Sequence, residues 1–405
     1  MLGWEFPPAV SGGLGVHCYE LTKALSMRGA EIDFYMPRTA SAPTSPAANV
    51  RVLPVDFDSF KGLEKFLLPG PYPSSAYRIT TKLGAQPLGE NYGTNFFQEV
   101  AKYNVLAARL VEINHAERGY DVIHFHDWLA TKAGLEAAAR TGRPGVVTIH
   151  STEFDRTANL SPMDWIVQIE REAVQKSDAV ITVSNMMRSQ LLERFSADPD
   201  RLSVVYNGVD PLQFKAPHRK PASFGRKVVL FHGRLSIQKG PDFFLKAARR
   251  VLEVEPDVQF VVGGKGGMMQ QLIDETFALG IMGNVTFTGF VPEDELASLY
   301  ASADVYVLPS VSEPFGISVL EAMASGVPVI VSKSAGVGER LKHALKADFW
   351  DVDEMAQQII AVLRYPQLKG MMSLHSAQEA AEFSWQKAAG ETMQAYNNAM
   401  GRGRR

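Results

Sequence analysis

Cysteine is almost missing from this 405-residue chain, with Cys18 standing alone. A lone thiol excludes a disulfide framework and any Cys-based zinc or iron–sulfur site. Long apolar runs are missing too: none approaches the roughly 18 residues needed to cross a bilayer. The opening MLGWEFPPAVSGG lacks the charged-then-apolar order of a secretory signal, so a cytoplasmic location is expected. Charge of one sign is also scarce. Lys and Arg total 41 against 44 Asp and Glu, a net −3, which leaves no overall basic field for a nucleic-acid backbone. Several catalytic signatures are absent as well: a G-x-S-x-G elbow, an H-E-x-x-H zinc motif and the Gly-Lys-Ser/Thr ending of a P-loop. Asp-x-Asp occurs at Asp56/Asp58, Asp198/Asp200 and Asp351/Asp353. None follows a buried apolar strand, so these read as turn or cap carboxylates rather than a metal–diphosphate site.

What is present is an ordinary globular composition, 46% hydrophobic and 21% charged, at a length suited to two domains. Short β-branched runs alternate with helical segments, the pattern of parallel sheets with crossover helices. In the first half the runs are Ile32–Tyr35, Val50–Val55, Val122–His126, Gly145–Ile149 and Ala179–Val183. In the second they are Lys227–Phe231, Gln259–Val262, Asn284–Thr288, Val305–Leu308 and Pro328–Val331. Residues 206–227, with three prolines and two glycines, read as a linker. The expected division is residues 1–207, rejoined by a final helical segment at 389–405, and residues 208–388. Residues 38–95 form the least regular stretch.

Four clusters carry chemistry. Ser11-Gly12-Gly13-Leu14-Gly15 precedes a helical stretch expected at Cys18–Arg28; it reads either as an anion site at a helix start or as a tight turn. Gly233, Arg234 and Lys239 follow the first strand of the second half, where open α/β sheets bind ligands. Two cations there suit a diphosphate, or a solvated loop. Glu313 lies in the loop Glu313-Pro314-Phe315-Gly316-Ile317, whose backbone N–H groups can face an anion, and Glu321 follows. With Ser318 as N-cap, Glu321 fits either a capping box or a ligand contact. His124 and His126 share one face of a strand, and His150 ends the next in the sequence Asp127…His150-Ser-Thr-Glu153. Satisfied polar side chains, catalytic groups and a zinc site are all open to these histidines.

SGGLG, VIHFHDW, TIHSTEFDR, AVITVSN, VVYNGVD, FHGRLSIQKG, VTFTGFVPEDEL, ADVYVLPS and EPFGISVLEAMASGVPVI occur in this order along the chain. Together they resemble the retaining glycosyltransferases of family 4, and the last contains the E-x7-E signature at Glu313 and Glu321. The resemblance implies a GT-B fold, an α/β architecture of two Rossmann-like domains facing a central cleft. It implies that Gly13 lies against the donor diphosphate, which Arg234 and Lys239 neutralise as it leaves. Glu313, with the backbone at Gly316 and Ile317, meets the donor sugar, and Glu321 meets the ribose. Phe290 and Val291 line the nucleobase pocket, and His126 faces the reacting sugar. Asp127, His150 and Glu153 fall on the acceptor side. A nucleotide sugar and a glycan are then the partners, with no cofactor and no metal.

GWEFPP…SGGLG with the His-Asp-Trp and His-Ser-Thr-Glu runs is similar to glycogen and α-glucan synthases within the family. Bacterial glycogen synthases carry Lys-x-Gly-Gly-Leu where this chain has Val10-Ser11-Gly12-Gly13-Leu14. Relatives also carry several residues before the equivalent of Leu2-Gly3-Trp4, so the first strand is expected to be short. The expected reaction is glucose transfer from ADP- or UDP-glucose to a maltooligosaccharide. Lys61, Lys65, Arg78 and Lys82 are scattered, which favours a soluble acceptor over a lipid. Other acceptors (lipid, polyol or surface-polysaccharide precursor), a GT-B nucleotide-sugar epimerase and a non-catalytic binding protein are the alternatives. The glutamate pair argues against the epimerase, and the intact cations against the binding protein.

Overall fold

The computed structural model describes residues 1–8, 12–39, 42–56, 96–215 and 225–402. Ser11, Asp58, Lys61, Lys65, Arg78 and Lys82, most of the 38–95 stretch and the middle of the 206–227 linker lie outside the described residues. The chain divides into two compact units. Met1–Phe154, Asn159–Tyr206 and Trp385–Arg405 form the first; Asp155–Ala158 and Asn207–Ser384 form the second.

The first unit runs α1 (Gly13–Ser26), β1 (Ile32–Pro37), β2 (Val50–Val55), α2 (Phe96–Arg118), β3 (Ile123–His126), α3 (Asp127–Thr141), β4 (Gly145–Ile149), α4 (Glu153–Arg156, whose last two residues count with the second unit), α5 (Asp164–Lys176), β5 (Ala179–Thr182), α6 (Asn185–Phe195) and β6 (Leu202–Val204). Strands β3, β4, β5 and β6 pair in that order, and β1 pairs with β2, all in parallel. Leu2 joins the two pieces through parallel bridges to Tyr35 and Phe125. Its N–H donates to the His124 carbonyl at 2.8 Å, and its own carbonyl accepts from His126 N–H at 3.1 Å. Strands β3 to β5 are buried at every position, which their nearly unbroken apolar runs require.

Helix α1 starts at Gly13, five residues before the expected Cys18, so Gly13 and Gly15 belong to the helix rather than to a loop ahead of it. It ends at Ser26, two residues short of the expected Arg28. Gly29 takes φ +87°, a left-handed conformation that stops a helix at little cost for glycine.

The second unit runs β7 (Lys227–His232), a 3-10 turn (Ile237–Lys239), α7 (Pro241–Leu252), β8 (Val258–Gly263), α8 (Met269–Ala278), β9 (Val285–Gly289), α9 (Glu293–Ala301), β10 (Val305–Leu308), α10 (Ile317–Ala324), β11 (Val329–Ser332), β12 (Leu345–Ala347), α11 (Val352–Arg364) and α12 (Pro366–Ala380). Helix α13 (Trp385–Arg402) belongs to the first unit. The sheet order is β12-β11-β10-β7-β8-β9, all parallel. Val229, Phe231, Phe244, Phe260, Val305, Val307 and Ile359 form its fully buried core. Each such side chain contributes about 1.5–3 kcal/mol of burial free energy.

The chain moves outward from β7 to β9, then returns to β10 on the other side of β7. That reversal opens a crevice at the carboxyl ends of β7 and β10, where doubly wound sheets take ligands. Strands β6 and β12, three residues each at sheet edges, escaped the sequence reading because runs so short carry no periodicity. Among the described residues, no helix is long and apolar enough to cross a membrane.

Candidate active site

In the second unit the reversal point gathers several of the expected residues. Arg234 and Lys239 follow β7, Glu313 follows β10, and β7 pairs directly with β10. Lys239 Nζ forms an ion pair with Glu313 Oε2. Their backbones are tied together as well, since Val311 N–H donates to the Gln238 carbonyl at 2.9 Å. Glu313 is further held by the 334–336 segment: its N–H donates to Ser334 O at 3.0 Å, and its carbonyl accepts from Gly336 N–H at 2.8 Å. The glutamate is buried, at 5% exposure.

The Arg234 turn is clamped by a second glycine run, Gly263–Gly267, which the sequence reading did not single out. Gly233 N–H donates to Gly263 O at 3.0 Å and Leu235 N–H to Lys265 O at 2.9 Å. Gly264 has φ +122°, and a Cβ there would sit 1.9 Å from the Gly233 carbonyl oxygen. Only glycine fits both demands. The signal was available as a glycine run directly after an apolar strand.

Helix α10 begins at Ile317 with Gly316, φ +109°, at the N-cap and no side-chain cap. This overturns the capping box built on Ser318. The left-handed glycine starts the helix one residue before the serine could cap it, and the Ser318 hydroxyl pairs with Tyr306 OH at 2.8 Å. The Glu321 carboxylate instead accepts from Tyr300 OH at 2.7 Å, and Tyr300 OH meets His232 Nδ1 at 2.9 Å. Burial pushes the Glu321 carboxyl up to about 7, against the Tyr300 hydrogen bond, which lowers it. Burial likewise lowers His232 to about 4, so that ring is neutral near pH 7. Phe290 and Val291 follow β9 at the sheet edge, two strands from β7. Phe290 is 60% exposed and lies under Lys265 Nζ, 5.5 Å from its ring centre; Val291 is buried.

In the first unit, the carboxyl ends of β3 and β4 carry the expected histidines. His124 and His126 do share a face, with ring centres 4.3 Å apart, yet they differ in what they touch. Both ring nitrogens of His124 are engaged, Nδ1 with Tyr396 OH at 2.6 Å and Nε2 with Thr148 Oγ1 at 2.7 Å. That makes His124 a packing residue. His126 Nδ1 meets His150 Nε2 at 3.1 Å, while its buried Nε2 has no hydrogen-bond partner among the described residues.

His17, which the sequence reading passed over, packs against both, at 5.6 Å from His126 and 4.3 Å from His150 between ring centres. The three offer a nitrogen each within 4.8 Å of one another. A histidine inside an amphipathic helix gives no sequence signal of this kind. Gly13, the first residue of the same helix, is exposed.

Asp127 turns the chain from β3 straight into α3 at φ +55°, a left-handed conformation that aspartate tolerates better than most residues. Its carboxylate accepts from His150 N–H at 2.7 Å, fixing the end of β4. Glu153 is buried, its N–H donates to Glu170 Oε2 at 3.0 Å, and its carboxylate accepts from Met163 N–H at 3.3 Å.

Two family models match the chain. "Glycosyltransferase Family 4" covers residues 90–212, and "Glycosyl transferases group 1" covers residues 214–378. An uncharacterized glycosyltransferase of Methanocaldococcus jannaschii is 31% identical, over 99% of this chain and 98% of its own. Glycogen synthase of Mycobacterium tuberculosis is 28% identical, over 98% and 93%. D-inositol 3-phosphate glycosyltransferase of Mycolicibacterium smegmatis is 31% identical, over 96% and 87%. Among solved structures, sucrose-phosphate synthase from Thermosynechococcus elongatus superposes with a TM-score of 0.79 at 20% identity, over 99% and 98%. The expected GT-B fold, two Rossmann-like domains, is therefore the fold of this protein. The chain belongs to glycosyltransferase family 4.

Proposed function

We propose that this glycosyltransferase is a retaining hexosyltransferase that moves glucose from ADP- or UDP-glucose onto an α-glucan or maltooligosaccharide, without a metal. The observation that carries the reading is the pairing of Lys239 with Glu313 at the reversal point of the second sheet, beside the Arg234 turn. A buried carboxylate holding a lysine at such a crevice is arranged to exchange partners: the lysine takes the departing diphosphate, and the carboxylate takes sugar hydroxyls. Arg234 adds a planar fork for phosphate oxygens. Cations aimed at charge that grows in the transition state are electrostatic catalysis, able to supply the largest share of the rate. Glu313 is then a positioning group rather than a nucleophile, and the leaving phosphate removes the acceptor proton on the face it departs from.

Glu321, steered by Tyr300, suits the ribose hydroxyls. The backbone at Gly316 and Ile317 approaches the sugar, Phe290 and Val291 take the base, and Gly13 takes the diphosphate. The family pattern assigns His126 to the reacting sugar and Asp127, His150 and Glu153 to the acceptor side. Likeness to a glycogen synthase supports the glucan acceptor. Likeness to a D-inositol 3-phosphate glycosyltransferase supports a second reading, in which the acceptor is a polyol phosphate.

The deciding experiment offers ADP-, UDP- and GDP-sugars with glycogen, maltooligosaccharide or an inositol phosphate, with and without EDTA. Nucleotide release with glucan lengthening is expected for one glucose donor, undiminished by EDTA. Release only with the inositol phosphate would move the conclusion to the second reading. Loss of activity in EDTA would overturn the metal-free mechanism.

A further inference from the structure

We propose that His17, His126 and His150 form a binding site for a divalent transition-metal ion of the zinc class. The three come from α1, the end of β3 and the end of β4, all within the first unit. His17 and His126 are buried, at 3% and 0% exposure, and His150 is partly exposed. Their ring centres lie 5.6, 4.3 and 5.3 Å apart. Three imidazoles on one tetrahedral zinc, with Zn–N near 2.0–2.1 Å, place ring centres about 5 Å apart.

The ligand nitrogens of the trio lie within 4.8 Å of one another. The pair His126 Nδ1 and His150 Nε2, at 3.1 Å, is close to the edge of about 3.3 Å that tetrahedral zinc demands. Side-chain rotation gathers the rest, and His150 is the member with solvent beside it. The supporting contacts are of the kind that fix ligand orientation: Asp127 grips the His150 backbone, and His124 packs on His126 while tied to Thr148 and Tyr396. Two or three imidazoles with an open position is the donor set that zinc prefers over magnesium or calcium.

The ion has no part in the proposed transfer. Because His126 is there assigned to the reacting sugar, zinc on that ring inhibits transfer, a consequence that rests on the proposed function. Binding itself does not.

The test titrates zinc into the metal-stripped full chain near pH 7.5 by calorimetry, and cobalt(II) by visible absorption. One zinc per chain and the intense cobalt bands of low coordination are expected. His17→Gln, and separately His150→Gln, should each weaken zinc at least about 10-fold, while His375→Gln, on α12 in the second unit, leaves binding unchanged. Thermal melts identify any variant that fails to fold, so that the other carries the comparison. Absence of stoichiometric zinc, or equal affinity in wild type and both folded variants, overturns the site. If zinc binds through the trio and transfer continues at full rate, the site stands and the role of His126 at the sugar falls.

Discussion

Lys239 and Glu313, 74 residues apart in sequence, form an ion pair at the carboxyl ends of two adjacent parallel strands. Replacing either partner should do opposite things to nucleotide binding. In Glu313→Gln the lysine loses its competing anion, so the product nucleoside diphosphate should bind several-fold tighter while transfer falls steeply. In Lys239→Ala the nucleotide should bind weaker, and the unpaired buried carboxylate should cost about 2 kcal/mol of stability. Calorimetry with ADP and UDP, beside urea unfolding, reads both. Weaker nucleotide binding in Glu313→Gln would mean that the pair is not the switch proposed.

Glu321 gives the protein a defined pH response. Its folded value, about 7, lies above the ordinary 4.5, because burial disfavours the anion. A raised value means that the stabilising share is complete below pH 4.5 and fades as pH rises through about 7. At about 1.4 kcal/mol per unit, wild type should lose roughly 3 kcal/mol from this group between pH 4.5 and 8. Glu321→Gln should lack that slope, measured by urea unfolding at both pH values. If ribose hydroxyls take the anion, donor affinity should climb over the same window in wild type alone.

Tyr300 is predicted to act through Glu321 rather than on substrate. Tyr300→Phe removes the 2.7 Å hydrogen bond to the carboxylate and leaves the ring in place. Donor KM should rise about 3- to 10-fold with kcat nearly constant, since one intramolecular hydrogen bond contributes about 0.5–1.5 kcal/mol. Tyr306→Phe, whose hydroxyl donates to the His232 carbonyl instead, should spare donor KM. Equal effects from both would reduce Tyr300 to a packing residue.

Two glycines of one run should respond oppositely. Gly264→Ala meets the Gly233 carbonyl at 1.9 Å with φ +122°, so the Arg234 turn must move. The variant should lose at least about 2 kcal/mol of stability and most of its transfer rate. Gly267→Ala meets nothing within 4 Å and should be tolerated. Melting temperatures and initial rates of the two variants make the comparison, and similar losses in both would refute the clamp.

At Asp127 the expected order of stability is wild type, Asn, Gly, then Ala. Asn keeps an acceptor for His150 N–H and tolerates φ +55°; Gly keeps only the conformation, and Ala keeps neither. The alanine variant should fall by about 2–3 kcal/mol in chemical unfolding. A glycine variant as poor as alanine would place the whole effect in the lost acceptor.

Much of the architecture was legible because most of these parallel strands are buried, nearly unbroken apolar runs, and the ten runs read from the sequence, β2 and the partly exposed β9 included, lie within a residue or two of the observed strands. Strands β6 and β12 were too short to read. The start of α1 was misplaced because its opening glycines resemble a loop. The cap expected at Ser318 failed because Gly316 adopts φ +109° and begins the helix first.

The chain by itself determined its fold class, its family and which residue types stand at the strand ends. Those follow from local periodicity and from the order of motifs along one dimension. Only the tertiary structure decided that Lys239 rests on Glu313, that Tyr300 steers Glu321, and that His17 joins His126 and His150. Each of these contacts is made by the sheet's reversal of strand order or by a crossover helix packing back. Such packing joins residues far apart in sequence, and local patterns carry no information about it.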